Sequence, residues 1–103
     1  KKAEYYALKI AENDSYSSAF LAHIYSDGGY GVEKDANKAF YWWKNGAKLG
    51  HAGCYDNLGW SYLYGIGVNQ NYQKAYESFI SAIKIDPTNA YAHYRIAIIL
   101  SSR

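Results

Sequence analysis

The sequence predicts an all-α fold, a solenoid of antiparallel helix pairs with about six helices, and three observations carry that reading. Leu21 and Tyr25 return 37 residues later as Leu58 and Tyr62, and Val32 returns after 36 as Val68. Helix–turn–helix units that recur at such a period stack into a solenoid. Within each unit apolar residues recur at helical spacing and no strand alternation is found, while Gly or Pro marks the junctions.

Residues 1–13 form the first helix, with Ala3, Tyr6, Ile10 and Ala11 on one stripe. Asp14 and Ser15, both turn and cap types, close it and open a second helix that runs to about Ser26. After Gly28-Gly29-Tyr30-Gly31-Val32 comes the polar connection Glu33-Lys34-Asp35, where Asp35 is a good N-cap. A third helix follows near residues 36–48, with Ala39, Trp42, Trp43 and Gly46 gathered on one side and Lys44 on the solvated back. Gly50 ends it. The fourth helix covers roughly Ala52–Tyr64 and stops at Gly65, a residue suited to the left-handed conformation, with Gly67 allowing a second bend before Val68. Gly59 leaves room for a close approach of another backbone. The fifth helix spans about Tyr72–Ile85; Pro87 breaks the chain, and the sixth runs from about Ala90 to Ser101. One domain results, divided into a half repeat (1–14), two repeats (15–50 and 51–86) and a closing half repeat (87–103).

Bulk properties exclude several functions. A chain of 103 residues, half of them hydrophobic and 18% aromatic, can bury a core and is not expected to be disordered. The net charge of +2 is divided evenly between the halves, so no basic stripe marks a nucleic-acid or anionic-membrane partner. No apolar run reaches membrane-spanning length and no signal peptide is visible. The single Cys leaves the redox compartment, and hence the localisation, undecided. The absence of Met fits a processed form or an excised section of a longer solenoid.

The recurring residues resemble those of Sel1-like repeats, relatives of the tetratricopeptide family. The family pattern runs Leu-Gly-x-x-Tyr-x-x-Gly-x-Gly-Val, then Asp-x-x-Lys-Ala-x-x-Trp-Tyr, then Ala-x-x-Gly. This chain has Leu58-Gly59, Tyr62, Gly65, Gly67-Val68 and Lys74-Ala75, preceded by Leu21, Tyr25, Gly28, Gly31-Val32, Asp35, Lys38-Ala39, Trp42, Trp43, Ala47 and Gly50. Lys2-Ala3, Tyr6, Lys9 and Ala11-Glu12 are similar to the tail of an earlier repeat. The second repeat departs from the pattern with Asn71 for Asp and Ser78 for Trp, which loosens the core around its second helix. With Cys54 alone, the chain does not belong to the branches with paired cysteines. The resemblance implies an adaptor that holds partners on a curved surface.

No arrangement of residues demands chemistry. Gly65-Ile66-Gly67 follows a helix instead of opening one, unlike a phosphate cradle. His23, His51 and His93 occupy different places in the repeat and complete no metal-ligand spacing, and Cys54 reads as a packing residue, so no metal or cofactor is expected. First helices of such repeats line the concave surface, which puts Tyr16, His23, Asp56, Trp60, Leu63, Tyr64, Tyr91, Tyr94 and Ile98 on a binding face, with His23, Trp60 and Ile98 in one row and Ala19, Asp56 and Tyr94 in another. Aromatic anchors of this kind dominate protein recognition. The expected function is a non-catalytic scaffold for a protein or peptide partner. The alternative is a hydrolytic or metal-dependent activity centred on His23 and Asp56, which would have to converge within hydrogen-bond reach. Ile96-Ala97-Ile98-Ile99-Leu100 is apolar around most of the last helix, so that surface is expected to be covered by further chain or by self-association.

Overall fold

The computed structural model describes residues 2–102, and the side chains of residues 2–4 and 7 lie outside it, so Ala3 on the first stripe is not placed. Six helices follow one another: α1 (Lys2–Ala11), α2 (Ser15–Asp27), α3 (Ala36–Lys48), α4 (Ala52–Tyr64), α5 (Tyr72–Ile85) and α6 (Ala90–Ser101). Each packs mainly on its neighbours in sequence, and the stack measures 46 × 24 × 17 Å.

Side-chain caps set where these helices begin. Asp14, Asp35, His51, Asn71 and Asn89 each accept a hydrogen bond from the backbone N–H three residues on, at 3.0–3.1 Å. Each such cap contributes about 1 kcal/mol by satisfying an N–H that the helix leaves unpaired. Ser17 also donates its hydroxyl to Asp14, and these two bonds hold that carboxyl below its ordinary value. His51 is the unexpected member: its Nδ1 accepts from Cys54 N–H, and the ring of Tyr16 meets its edge at 5.2 Å.

The two interior turns differ in length yet deliver the chain to the same point. In the second repeat Gly65 is left-handed (φ 67°), Gly67 follows with φ 76°, and Asn71 N–H donates to Tyr62 O at 2.8 Å. In the first repeat Asp35 N–H donates to Tyr25 O at 2.8 Å, although one more residue intervenes. The extra residue is taken up by Gly29 and Val32, which exchange backbone hydrogen bonds, and by Tyr30 at φ 53°.

The core lies along the seam between the helix rows. Ala39, Trp42, Trp43 and Ala47 of α3 are buried against α2 and α4, and Phe79 of α5 is fully buried. Gly59 admits the Phe79 ring, which would meet a Cβ there at 2.7 Å; the close approach is by an aromatic side chain, not a backbone. Gly46 faces Cys54, whose sulfur would collide with a Cβ, and at the corresponding places of the α5–α6 junction stand Ala82 and Ala92, both fully buried. Burial alone pushes the Cys54 thiol up to about 12.

Two expectations about the ends need correction. On α1 Ala11 of the expected stripe is buried, but Tyr6 and Ile10 are exposed, and Leu8, which is not on that stripe, packs against the core. Among the described residues α1 packs chiefly on α2, so a narrower arc is covered. The carbonyl of Ala11 is held by Ser18 Oγ at 2.5 Å and Asn45 Nδ2 at 3.1 Å. On α6, Ile99 is buried, Ile96 and Ile98 are half-buried, and Leu100 is 47% exposed, so the uncovered apolar surface is smaller than the composition of the helix suggests.

Candidate functional site

α4 is flanked by second helices on two sides, α3 and α5, and its remaining arc carries the candidate site. Trp60 and Tyr64 are four apart, so their side chains share that arc; the rings lie 4.6 Å apart, tilted by 60°. Trp60 remains 37% exposed and Tyr64 47%, a shelf rather than a core pair. From α6, the guanidinium of Arg95 sits 4.0 Å from the Trp60 ring centroid, a cation–π contact. One turn before Trp60, Asp56 points its carboxylate into the same corner. Its Oδ1 is buried and has no hydrogen-bond partner among the described residues. Desolvation raises the Asp56 carboxyl above its ordinary value, and the nearby Arg95 charge opposes that rise.

On the other flank of Trp60 a cleft of about 130 Å³ opens where α2, α3 and α4 meet, walled by Ser26, Ala39, Trp43, Asn57, Trp60 and Ile66. His23 packs edge-on against Trp43 with ring centroids 4.6 Å apart. Trp43 thereby links His23 to the cleft.

The structure gathers part of the expected face and leaves part aside. Asp56, Trp60 and Tyr64 belong together, with His23 joined to them through Trp43. Tyr16, Tyr91 and Tyr94 are exposed on α2 and α6, and Ile98 is half-buried. Leu63 is a correction: at 5% exposure it belongs to the core, because α4 is covered from two sides and its buried arc is wider than a single-partner helical wheel allows. Arg95 and Asn57 are the residues that sequence reasoning missed. Arg95 is the one Lys or Arg side chain on α6, and its reach over Trp60 depends on the axial offset of two helices, which no periodicity within one helix encodes.

The pair named for hydrolytic chemistry is divided. His23 rests on α3, Asp56 faces α6, and no hydrogen bond joins them among the described residues. The other histidines serve local structure, His51 as a cap and His93 with Nε2 2.9 Å from Pro87 O. Among the described residues no group of three or more His, Cys, Asp or Glu is placed to hold a metal ion, and no helix is long and apolar enough to cross a membrane.

The Sel1 repeat model matches residues 15–51 and 52–84. Among solved structures, a Sel1 repeat protein from Oxalobacter formigenes superposes with a TM-score of 0.82 at 29% identity, over 92% of this chain and 70% of that one. The cysteine rich protein B of Helicobacter pylori gives 0.80 at 26% identity, over 91% and 71% of the two chains. A protective antigen present in uropathogenic Escherichia coli strains, displaying an SLR fold, gives 0.83 at 26% identity; the match covers 91% of this chain but 20% of the antigen. No curated protein matches the sequence.

Proposed function

The chain belongs to the Sel1 repeat family, and from that premise we propose that it is a non-catalytic scaffold holding an extended protein segment against α2, α4 and α6. The family's repeats typically mediate protein interactions, which supports the general role. The specific site rests on one observation, the buried Asp56 Oδ1 without a donor beside the exposed Trp60–Tyr64 shelf. A carboxylate oxygen removed from water and left unpaired is costly, so a donor arriving with a partner gains a strong bond. A partner N–H or ammonium meets Asp56, an apolar side chain lies on Trp60 and Tyr64, and the neighbouring cleft takes the next side chain. Arg95 offers its charge to a carboxylate of the same segment.

The test is capture of partners by the purified chain and by two variants. Trp60→Ala is expected to weaken binding by about 2 kcal/mol or more, as loss of a central aromatic anchor does. Lys44→Ala, on the solvated back of α3, is expected to change nothing. Capture that survives Trp60→Ala unchanged, in a variant that has lost stability instead, would make Trp60 a packing residue and remove the proposal.

A further inference from the structure

The two repeats part company most sharply at one matched position. Trp42 on α3 is buried, and 36 residues later α5 has Ser78, also buried, whose hydroxyl donates to Lys74 O at 2.9 Å. The surroundings are kept: Leu21 and Tyr25 become Leu58 and Tyr62, and the ammonium of Lys38, 5.4 Å from the Tyr25 ring, becomes Lys74 at 5.7 Å from Tyr62. Tyr55 stands where the first repeat has Ser18, so part of the lost volume is replaced from α4. The exchange is incomplete. A groove of about 250 Å³ remains between α4 and α5, walled by Tyr55, Leu58, Tyr62, Lys74, Glu77 and Ser78.

The polar rim is also specific. Where Tyr41 lies edge-on to Trp42 at 5.0 Å, the second repeat has Glu77, an exposed carboxylate whose Oε2 accepts from Gln73 Nε2 at 3.0 Å while its remaining lone pairs can take a further donor. Beside it Ser81 donates its hydroxyl hydrogen to Glu77 O at 3.0 Å and keeps its lone pairs. Lys74 has no carboxylate partner among the described residues. An apolar floor, an aromatic wall and an acceptor at the edge match a ring that carries an N–H donor.

We propose that this groove binds one indole side chain from a segment of a partner protein, which takes from outside the place Trp42 fills from within. The ring packs on Leu58 and Tyr55, its N–H donates to Glu77, and Lys74 favours an acidic residue next to it in the partner. The groove is walled by α4 and α5 and shares no lining residue with the Trp60 cleft, so the two sites stand or fall separately.

The test is titration of the isotope-labelled chain with N-acetyltryptophanamide, followed by backbone amide shifts. Saturable shifts at Leu58, Ser78 and Ser81 are expected, with N-acetylleucinamide at least about threefold weaker because it lacks the ring. Ser78→Ala keeps the space and should keep the binding. The paired exchange Tyr55→Ser with Ser78→Trp rebuilds the first repeat's packing and should abolish it. If that pair perturbs the fold, Ser81→Phe blocks the same groove from its edge. No saturable shift at these amides, shifts that survive the blocking variants, or equal response to the leucine compound would each overturn the proposal. Shifts confined to Trp60 and Asn57 would do so too, while leaving the α4 site intact.

Discussion

Gly31 and Gly67 occupy matching places before the valines of the two turns and share the same φ of 76°, yet their surroundings differ. A Cβ on Gly31 meets nothing within 4 Å, whereas one on Gly67 runs into the Ala36 carbonyl at the start of α3. Gly31→Ala should therefore cost only the left-handed strain, about 1 kcal/mol, and Gly67→Val should reach about 3 kcal/mol. Thermal melts of the two variants separate strain from collision; equal losses would mean the turn yields. Asp56 gives a second residue-scale test. Its carboxyl is held above the ordinary value by desolvation, so the ionised form is the strained one and its cost to the fold grows as pH rises through that raised value. Asp56→Asn should leave stability at neutral pH equal or higher while weakening partner capture. A variant that is less stable and still binds fully would give the carboxylate a structural role. For Cys54 the sign is worked out in the same way. The unfolded thiol ionises near the ordinary value of 9.0 and the folded one near about 12, so stability falls as pH rises across that window. Cys54→Ala should flatten the fall when denaturant melts at the two ends of the window are compared.

At the scale of elements, the helix boundaries were legible because caps and glycines are local chemistry. Asp35 and Gly65 act where the sequence placed them, and His51 could have been found as a cap because it stands 37 residues after Asp14. What a helical wheel does not carry is the number of neighbours. It misplaced Leu63 on α4, which is covered from both sides, and Tyr6 and Ile10 on α1, which is covered chiefly by α2. The α1 attachment is testable through Asn45, whose Nδ2 donates to Ala11 O at 3.1 Å and Ser18 Oγ at 2.9 Å. The matching residues of the next repeat, Tyr55 and Ser81, form no such knot. Asn45→Ala should cost about 1–2 kcal/mol and speed amide exchange in α1 selectively. Uniform loss of protection across all helices would show that α1 opens only with the rest.

For the whole molecule, a stack whose helices touch mainly their sequence neighbours has its stability assigned junction by junction. Amide protection is accordingly expected to be greatest in α3 and α4 and to decline toward α1 and α6. The exposed part of α6 also makes a prediction about association. If copies pair through Leu100, light scattering at high micromolar protein should show dimers that Leu100→Glu abolishes. Ile99 is unsuited to that test because it is buried, and a strict monomer would show that α6 closes the stack by itself.

The small residues at the two junctions reach further than local packing. α3 offers Gly46 to Cys54 of α4, and at the matching positions of α5 and α6 stand Ala82 and Ala92, both fully buried. The first seam is keyed: the sulfur added at Cys54 is matched by the side chain withheld at Gly46, while the second has a small side chain at both matching positions. An array lengthened by copying the α4–α5 pair would bring Ala82 against a second Cys54, where even one methyl group finds a sulfur in the way. Joining α3 directly to α6 would leave a void the size of that sulfur instead. The order of the helices is thus written into their mating surfaces, and these repeats are numbered parts, not interchangeable ones.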